Sequence, residues 1–108
     1  MKATYGFHST MTARPGKGDE LVDLLLTATT DGSGASENCV VYLVGRSLSN
    51  SDVVHVTEGW TTREAHAENF ATDKAKAFVA RIVPLLRDEP QYQDEVPVGG
   101  KFRAEVAP

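Results

Sequence analysis

Between Val53 and Phe70 the chain reads VVHVTEGWTTREAHAENF, and most of the side chains able to do chemistry are gathered there. Glu58 can accept a proton, Trp60 offers a flat apolar surface with one N–H, His66 titrates nearest to neutral pH, and Asn69 can donate or accept a hydrogen bond. Alternation puts Val54, Val56, Glu58 and Trp60 on one side of a strand, and Val53, His55, Thr57 and Gly59 on the other. Thr61-Thr62-Arg63-Glu64 fits a capping box, a Thr followed three residues later by Glu, and predicts a helix start. In that helix His66, Asn69 and Phe70 stand at i, i+3 and i+4 and share a face.

A Glu and a Trp at a strand end, facing a helix with a His and an Asn, make the most site-like feature of the sequence. His66 is the natural general base, its unperturbed pKa being near ~6.5. Glu58 is a second proton acceptor, or an anchor for backbone or for His66. Asn69 can hydrogen-bond a substrate oxygen or cap local backbone. Trp60, Tyr42 and Phe70 can wall a pocket for an aromatic ligand, although so large an aromatic as Trp60 more often serves as a core or interface anchor. His8 and His55 fall on strands expected to be neighbours, on the face opposite the apolar stripe of the first strand, and are carried as further binding candidates. No HxH or HxxxH pair occurs, and a metal centre needs three or four convergent ligands, so no metal is expected. Cys39 reads as a small buried hydrophobe; Arg46 and Arg81 read as solvated charge. No Gly-rich phosphate loop, nucleophile elbow or dinucleotide fingerprint is present.

The elements that must hold these residues follow from pattern. Ala3 to Thr12 alternates, with Ala3, Tyr5, Phe7, Ser9 and Met11 on its more apolar side. After the Pro15-Gly16 turn, Leu21, Leu24, Leu25 and Ala28 repeat at helical spacing, which predicts a helix over 17–29. Thr30 to Asn38 is loop by composition, and Cys39 to Ser47 is a strand apolar on both faces. A short polar turn returns the chain to Val53. The helical region from Thr62 should break near Ala71-Thr72, with Thr72 or Asp73 capping a second segment that carries Phe78, Val79, Ile82 and Leu86. Pro84 kinks or ends it. Gln91 to Val98 reads as a last strand, at an edge because of Pro97. The order β-α-β-β-α-β, with right-handed crossovers, gives a ferredoxin-like α+β fold: an antiparallel sheet with its helices on one face. The apolar residues on both sides of the second strand imply that the other face is covered too, and a second copy of the chain is the expected cover. The domain is read as residues 1–98, with 99–108 as a C-terminal tail.

At 108 residues and a net charge of −4, the chain is one ordinary globular domain with no basic patch for nucleic acid. One cysteine fits a reducing compartment, and no run of about 18 apolar residues or signal-like leader appears, so a soluble cytoplasmic protein without a membrane partner is expected.

Three stretches also carry a family resemblance: Arg14-Pro15-Gly16-Lys17 ahead of the Leu-rich helix, Asn38-Cys39-Val40-Val41-Tyr42 entering the second strand, and Glu58-Gly59-Trp60 followed by Thr62, Glu64 and Ala65. From about His8 to about Val98 the chain resembles the antibiotic biosynthesis monooxygenase family. The resemblance implies a dimeric α+β barrel acting without metal or flavin on a small aromatic, such as a quinol or an anthrone-type polyketide, with O₂ as the second substrate. In that family a His usually follows the Trp by nine residues; here that position is Asn69, and His66 stands three residues earlier. Haem-degrading relatives ligate iron through that His, so haem is not expected here. The function read from the sequence is therefore a cofactor-independent monooxygenase. The alternatives are a non-catalytic dimeric ligand-binding or stress-associated protein, or an isomerase or decarboxylase on the same scaffold.

Overall fold

Alternation in three strands and helical spacing in two segments translate into seven main elements in a computed structural model, which describes residues 2–101. They are β1 (Tyr5–Thr12), α1 (Gly18–Asp31), β2 (Cys39–Arg46), β3 (Val53–Trp60), α2 (Arg63–Phe70), α3 (Asp73–Ile82) and β4 (Gln91–Glu95). The sheet runs β2-β3-β1-β4, and every neighbouring pair is antiparallel. This is the ferredoxin-like α+β arrangement, with the two central strands contributed by β1 and β3.

Register decides which side chains can meet. Tyr5, Phe7, Ser9 and Met11 pair with Trp60, Glu58, Val56 and Val54. Because directly paired residues point to the same face, the apolar stripe of β1 and the Glu58–Trp60 stripe of β3 form one surface under the helices. Tyr42 and Val44 extend it from β2, and Tyr92 and Asp94 extend it from β4. The core sits at one end of this surface, where Leu21, Leu24 and Leu25 of α1 pack on Met11, Val54 and Val56. Ile82 at the end of α3 and Leu86, just past the 3-10 turn Val83–Leu85, close that cluster.

Helix starts are fixed in different ways. α1 has no side-chain cap of its own. Asp52, from the β2–β3 turn, takes that role and accepts hydrogen bonds from Gly16 N–H at 3.2 Å and Gly18 N–H at 3.0 Å. A Cβ at Gly18 would lie 2.2 Å from the Ser51 carbonyl oxygen, so only glycine permits this approach. The capping box expected at Thr61 is displaced by one residue: Thr62 is the N-cap, accepting from Ala65 N–H at 3.0 Å. Thr61 instead donates its hydroxyl to Asn38 Oδ1 at 2.9 Å. Thr72 caps α3 by accepting from Ala75 N–H at 3.1 Å.

Several boundaries differ from the sequence expectation. α1 continues to Asp31, β2 stops at Arg46, and β4 stops at Glu95, ahead of Val96 and Pro97. Ala3 lies outside β1, beside Gly59. Residues 102–108 of the expected tail lie outside the described residues. No helix among the described residues is long and apolar enough to cross a membrane.

Candidate functional site

α2 contributes no buried residue and α3 only Ile82, so these two helices arch over the sheet rather than pack flat on it. The gap is a cavity of about 820 Å³. Its floor is the shared β1–β3 stripe. Its roof is built from His66, Asn69 and Phe70 of α2 with Ala75, Phe78 and Val79 of α3.

Glu58 and His66 both face this space. Glu58 is the half-buried acid of the site. Its Oε1 accepts the indole N–H of Trp60 at 2.8 Å. Loss of water around the carboxyl pushes its pKa up from 4.5 to about 7, against the opposing effect of the indole hydrogen bond. At neutral pH the group is thus close to evenly divided between acid and carboxylate.

His66 sits in an aromatic cage. Its ring meets Phe7 at 4.9 Å and Trp60 at 5.2 Å, both edge-on, with Tyr5 at 5.7 Å and Phe70 at 6.0 Å. Burial lowers its pKa; nearby Asp94 opposes the shift and Arg63 adds to it. The imidazole is therefore predominantly neutral at pH 7.

The remaining expected site residues divide clearly. Asn69 and Phe70 line the cavity. Asn69 spends one amide hydrogen on Ser33 Oγ at 2.9 Å, which ties α2 to the loop after α1. Tyr42 lines the cavity, but its hydroxyl donates to the Leu25 carbonyl at 3.0 Å and clamps β2 to α1. Burial, and then Glu58, push the Tyr42 pKa up. Trp60 is fully buried beside Glu58 on the same face of β3 and does not line the cavity; it reaches the cavity through its hydrogen bond to Glu58. His8 and His55 are on the opposite sheet face, away from the cavity. His8 bonds Thr57 and pairs with Glu95, and His55 bonds Thr10. Cys39 is half-buried, and desolvation pushes its thiol up to about 12, so it is no thiolate nucleophile.

Sequence reasoning left out Tyr5, Phe7, Ser9, Tyr92 and Asp94, all of which line the cavity. The signal for the first three was present in the alternation of β1, where they were read only as the apolar face of a strand. Tyr5 donates its hydroxyl to Asp94 Oδ1 at 3.0 Å, and the Arg63 guanidinium lies 5.3 Å over the Tyr5 ring. Among the described residues, no three His, Cys, Asp or Glu side chains converge as a metal site would require.

A ferredoxin-like sheet with a half-buried acid and a caged imidazole under arched helices defines a small α+β domain with an internal cavity. The sequence model of the family described as antibiotic biosynthesis monooxygenase matches residues 4–81, and the chain belongs to that family. Among solved structures, a candidate antibiotic biosynthesis monooxygenase from Chloroflexus aurantiacus is 28% identical, with a TM-score of 0.78 over 93% of this chain and 98% of that one. A second, from Caulobacter crescentus, is 23% identical with a TM-score of 0.80 over 91% and 92%. A protein from Mycobacterium tuberculosis is 18% identical with a TM-score of 0.79 over 93% and 100%. The last two show likeness of fold alone. No curated protein matches the chain.

Proposed function

We propose that the chain is a cofactor-independent monooxygenase of a small electron-rich aromatic, a quinol or an anthrone-type phenol. The observation that carries this reading is a carboxyl anchored by a buried indole at the aromatic end of a cavity, with a pKa raised to about 7. A carboxylate with that affinity for protons removes a phenolic proton far better than an exposed one, and is still substantially ionised at neutral pH. Glu58, rather than His66, is the base in this proposal. Neutral His66 and the remaining amide hydrogen of Asn69, which line the same cavity, would hydrogen-bond the phenolate oxygen.

The substrate supplies all four electrons needed to reduce O₂. The phenolate transfers one electron to O₂, the resulting radicals combine at a ring carbon or activated methylene, and the peroxide loses water. A quinol thereby becomes a hydroxyquinone, or a CH₂ becomes C=O, with one oxygen atom retained and the other released as H₂O. The apolar walls exclude bulk water from the anion. Oxygen uptake with a panel of hydroquinones tests this: one O₂ consumed per quinol is expected, and no uptake above the uncatalysed rate would overturn the oxygenase and leave a non-catalytic ligand-binding protein or an isomerase or decarboxylase that uses no O₂.

Assembly belongs to the same proposal. The sheet face away from the helices presents part-exposed Val41 and Leu43 beside Thr57 and His55, and a second copy packed face to face would cover it. Light scattering is expected to give twice the 11.7 kDa chain mass at micromolar concentration; a single-chain mass would overturn the dimer.

A further inference from the structure

The cavity is chemically divided along the strands. Toward the C-terminal end of β3 its walls are aromatic and polar: Tyr5, Phe7 and Tyr92 from the sheet, with Glu58, His66 and Phe70. Toward the other end they are aliphatic apart from Phe78: Met11, Leu25, Val79, Ile82, Val83 and Leu86. The register fixes this order, because Phe7 pairs with Glu58 while Met11, four residues on, pairs with Val54. Four residues of antiparallel strand span roughly 13–14 Å. A single aromatic ring next to Glu58 therefore leaves most of the cavity unfilled; Met11, Leu25, Val79, Ile82, Val83 and Leu86 carry no side-chain hydrogen-bonding group, and the further polar lining residues, such as Asp31, Ser33, Thr72 and Lys74, come from the end of α1, the segment after it and the start of α3.

We infer that the site takes an amphiphilic phenol, with its hydroxylated ring among the aromatic residues at Glu58 and an unbranched apolar tail running along Met11 to Ile82, Val83 and Leu86. The inference rests on the proposed function for the placement of the phenol and goes beyond it in naming the tail. A flat fused-ring substrate would use aromatic walls along its whole length, whereas here aromatic rings crowd one end and flexible aliphatic chains form the other. The aliphatic chains can close around a narrow tail, and each methylene moved from water into that end adds to affinity.

Calorimetric titration of the intact protein with 4-alkylphenols, which carry out no quinol chemistry, tests this apart from turnover. Kd is expected to fall by about 3–4-fold per methylene and to level off near roughly eight carbons, a chain of about 10 Å judged from C–C bond lengths. Val83 is more than half exposed, so Val83→Asp should fold; it is expected to flatten the gain over the outer methylenes and spare the gain over the first few. A Kd independent of chain length, or tighter binding of 2-naphthol than of any alkylphenol, would overturn the inference. An unchanged slope in Val83→Asp would overturn it as well. Oxygen uptake with matching 2-alkylhydroquinones separates the two readings. Chain-dependent binding without O₂ consumption leaves the tail and removes the oxygenase, and O₂ consumption with chain-independent binding does the reverse.

Discussion

Glu58→Gln is expected to lower quinol turnover by about 10²–10⁴-fold, the range set by removal of a general base. The amide keeps the shape and can still accept the Trp60 N–H, so the loss isolates proton transfer. For the wild type, kcat/KM should rise with pH up to about 7 and flatten above it, because the carboxylate is the active form. His66→Ala opens one side of the aromatic cage and should cost less than Glu58→Gln; the opposite ranking would return the base to His66. Stability should move the other way. Between pH 4.5 and about 7 the folded chain holds a proton on Glu58 that the unfolded chain has lost. Stability from this group is therefore greatest below that window, falls as pH rises through it, and is constant above. Glu58→Gln escapes this cost and should be the more stable protein at pH 8, by on the order of 3 kcal/mol at most, with the gap closing by pH 4–5, as denaturant titrations at the two pH values would show.

Trp60→Ala is expected to destabilise the fold by about 3–5 kcal/mol, as for other fully buried large aromatics. The side chain is 0% exposed, packs its ring edge-on with His66, and lies on the strand that joins the two halves of the sheet. Its polar atom has a separate job. The indole N–H stabilises the Glu58 carboxylate, so Trp60→Phe, which keeps most of the packing, should raise the Glu58 pKa above about 7 and move the pH–rate inflection upward. An inflection that stays in place in Trp60→Phe would mean that another group sets it.

Period-two alternation carried the site further than residue type did. The faces read for β1 and β3 place Glu58 and Trp60 under the helices and His55 on the far side, and the register agrees. The same faces put His8 and His55 away from the cavity, so listing histidines by chemistry alone gathered residues that the pleat separates. Trp60 was legible as a large aromatic at a strand end, but its full burial beside Glu58 depends on how closely α2 approaches, which pattern does not encode. The cavity itself was not legible. Tyr5, Phe7 and Ser9 have the spacing of an ordinary core stripe, and only the stand-off of α2 and α3 turns part of that core surface into a wall. The shift of the helix cap from Thr61 to Thr62 has a local cause: Asn38 engages the Thr61 hydroxyl, and Thr62 is left to cap.

The chain contains one tryptophan, and its indole N–H is hydrogen-bonded to Glu58, the proposed base. Excited at the red edge of the absorption band, where the three tyrosines scarcely absorb, the protein therefore emits from a single place, shielded from solvent and within reach of one titrating charge. The ultraviolet fluorescence of the unlabelled protein becomes a gauge of whether Glu58 is ionised, and of whether something has entered beside it, without dye, cofactor or turnover.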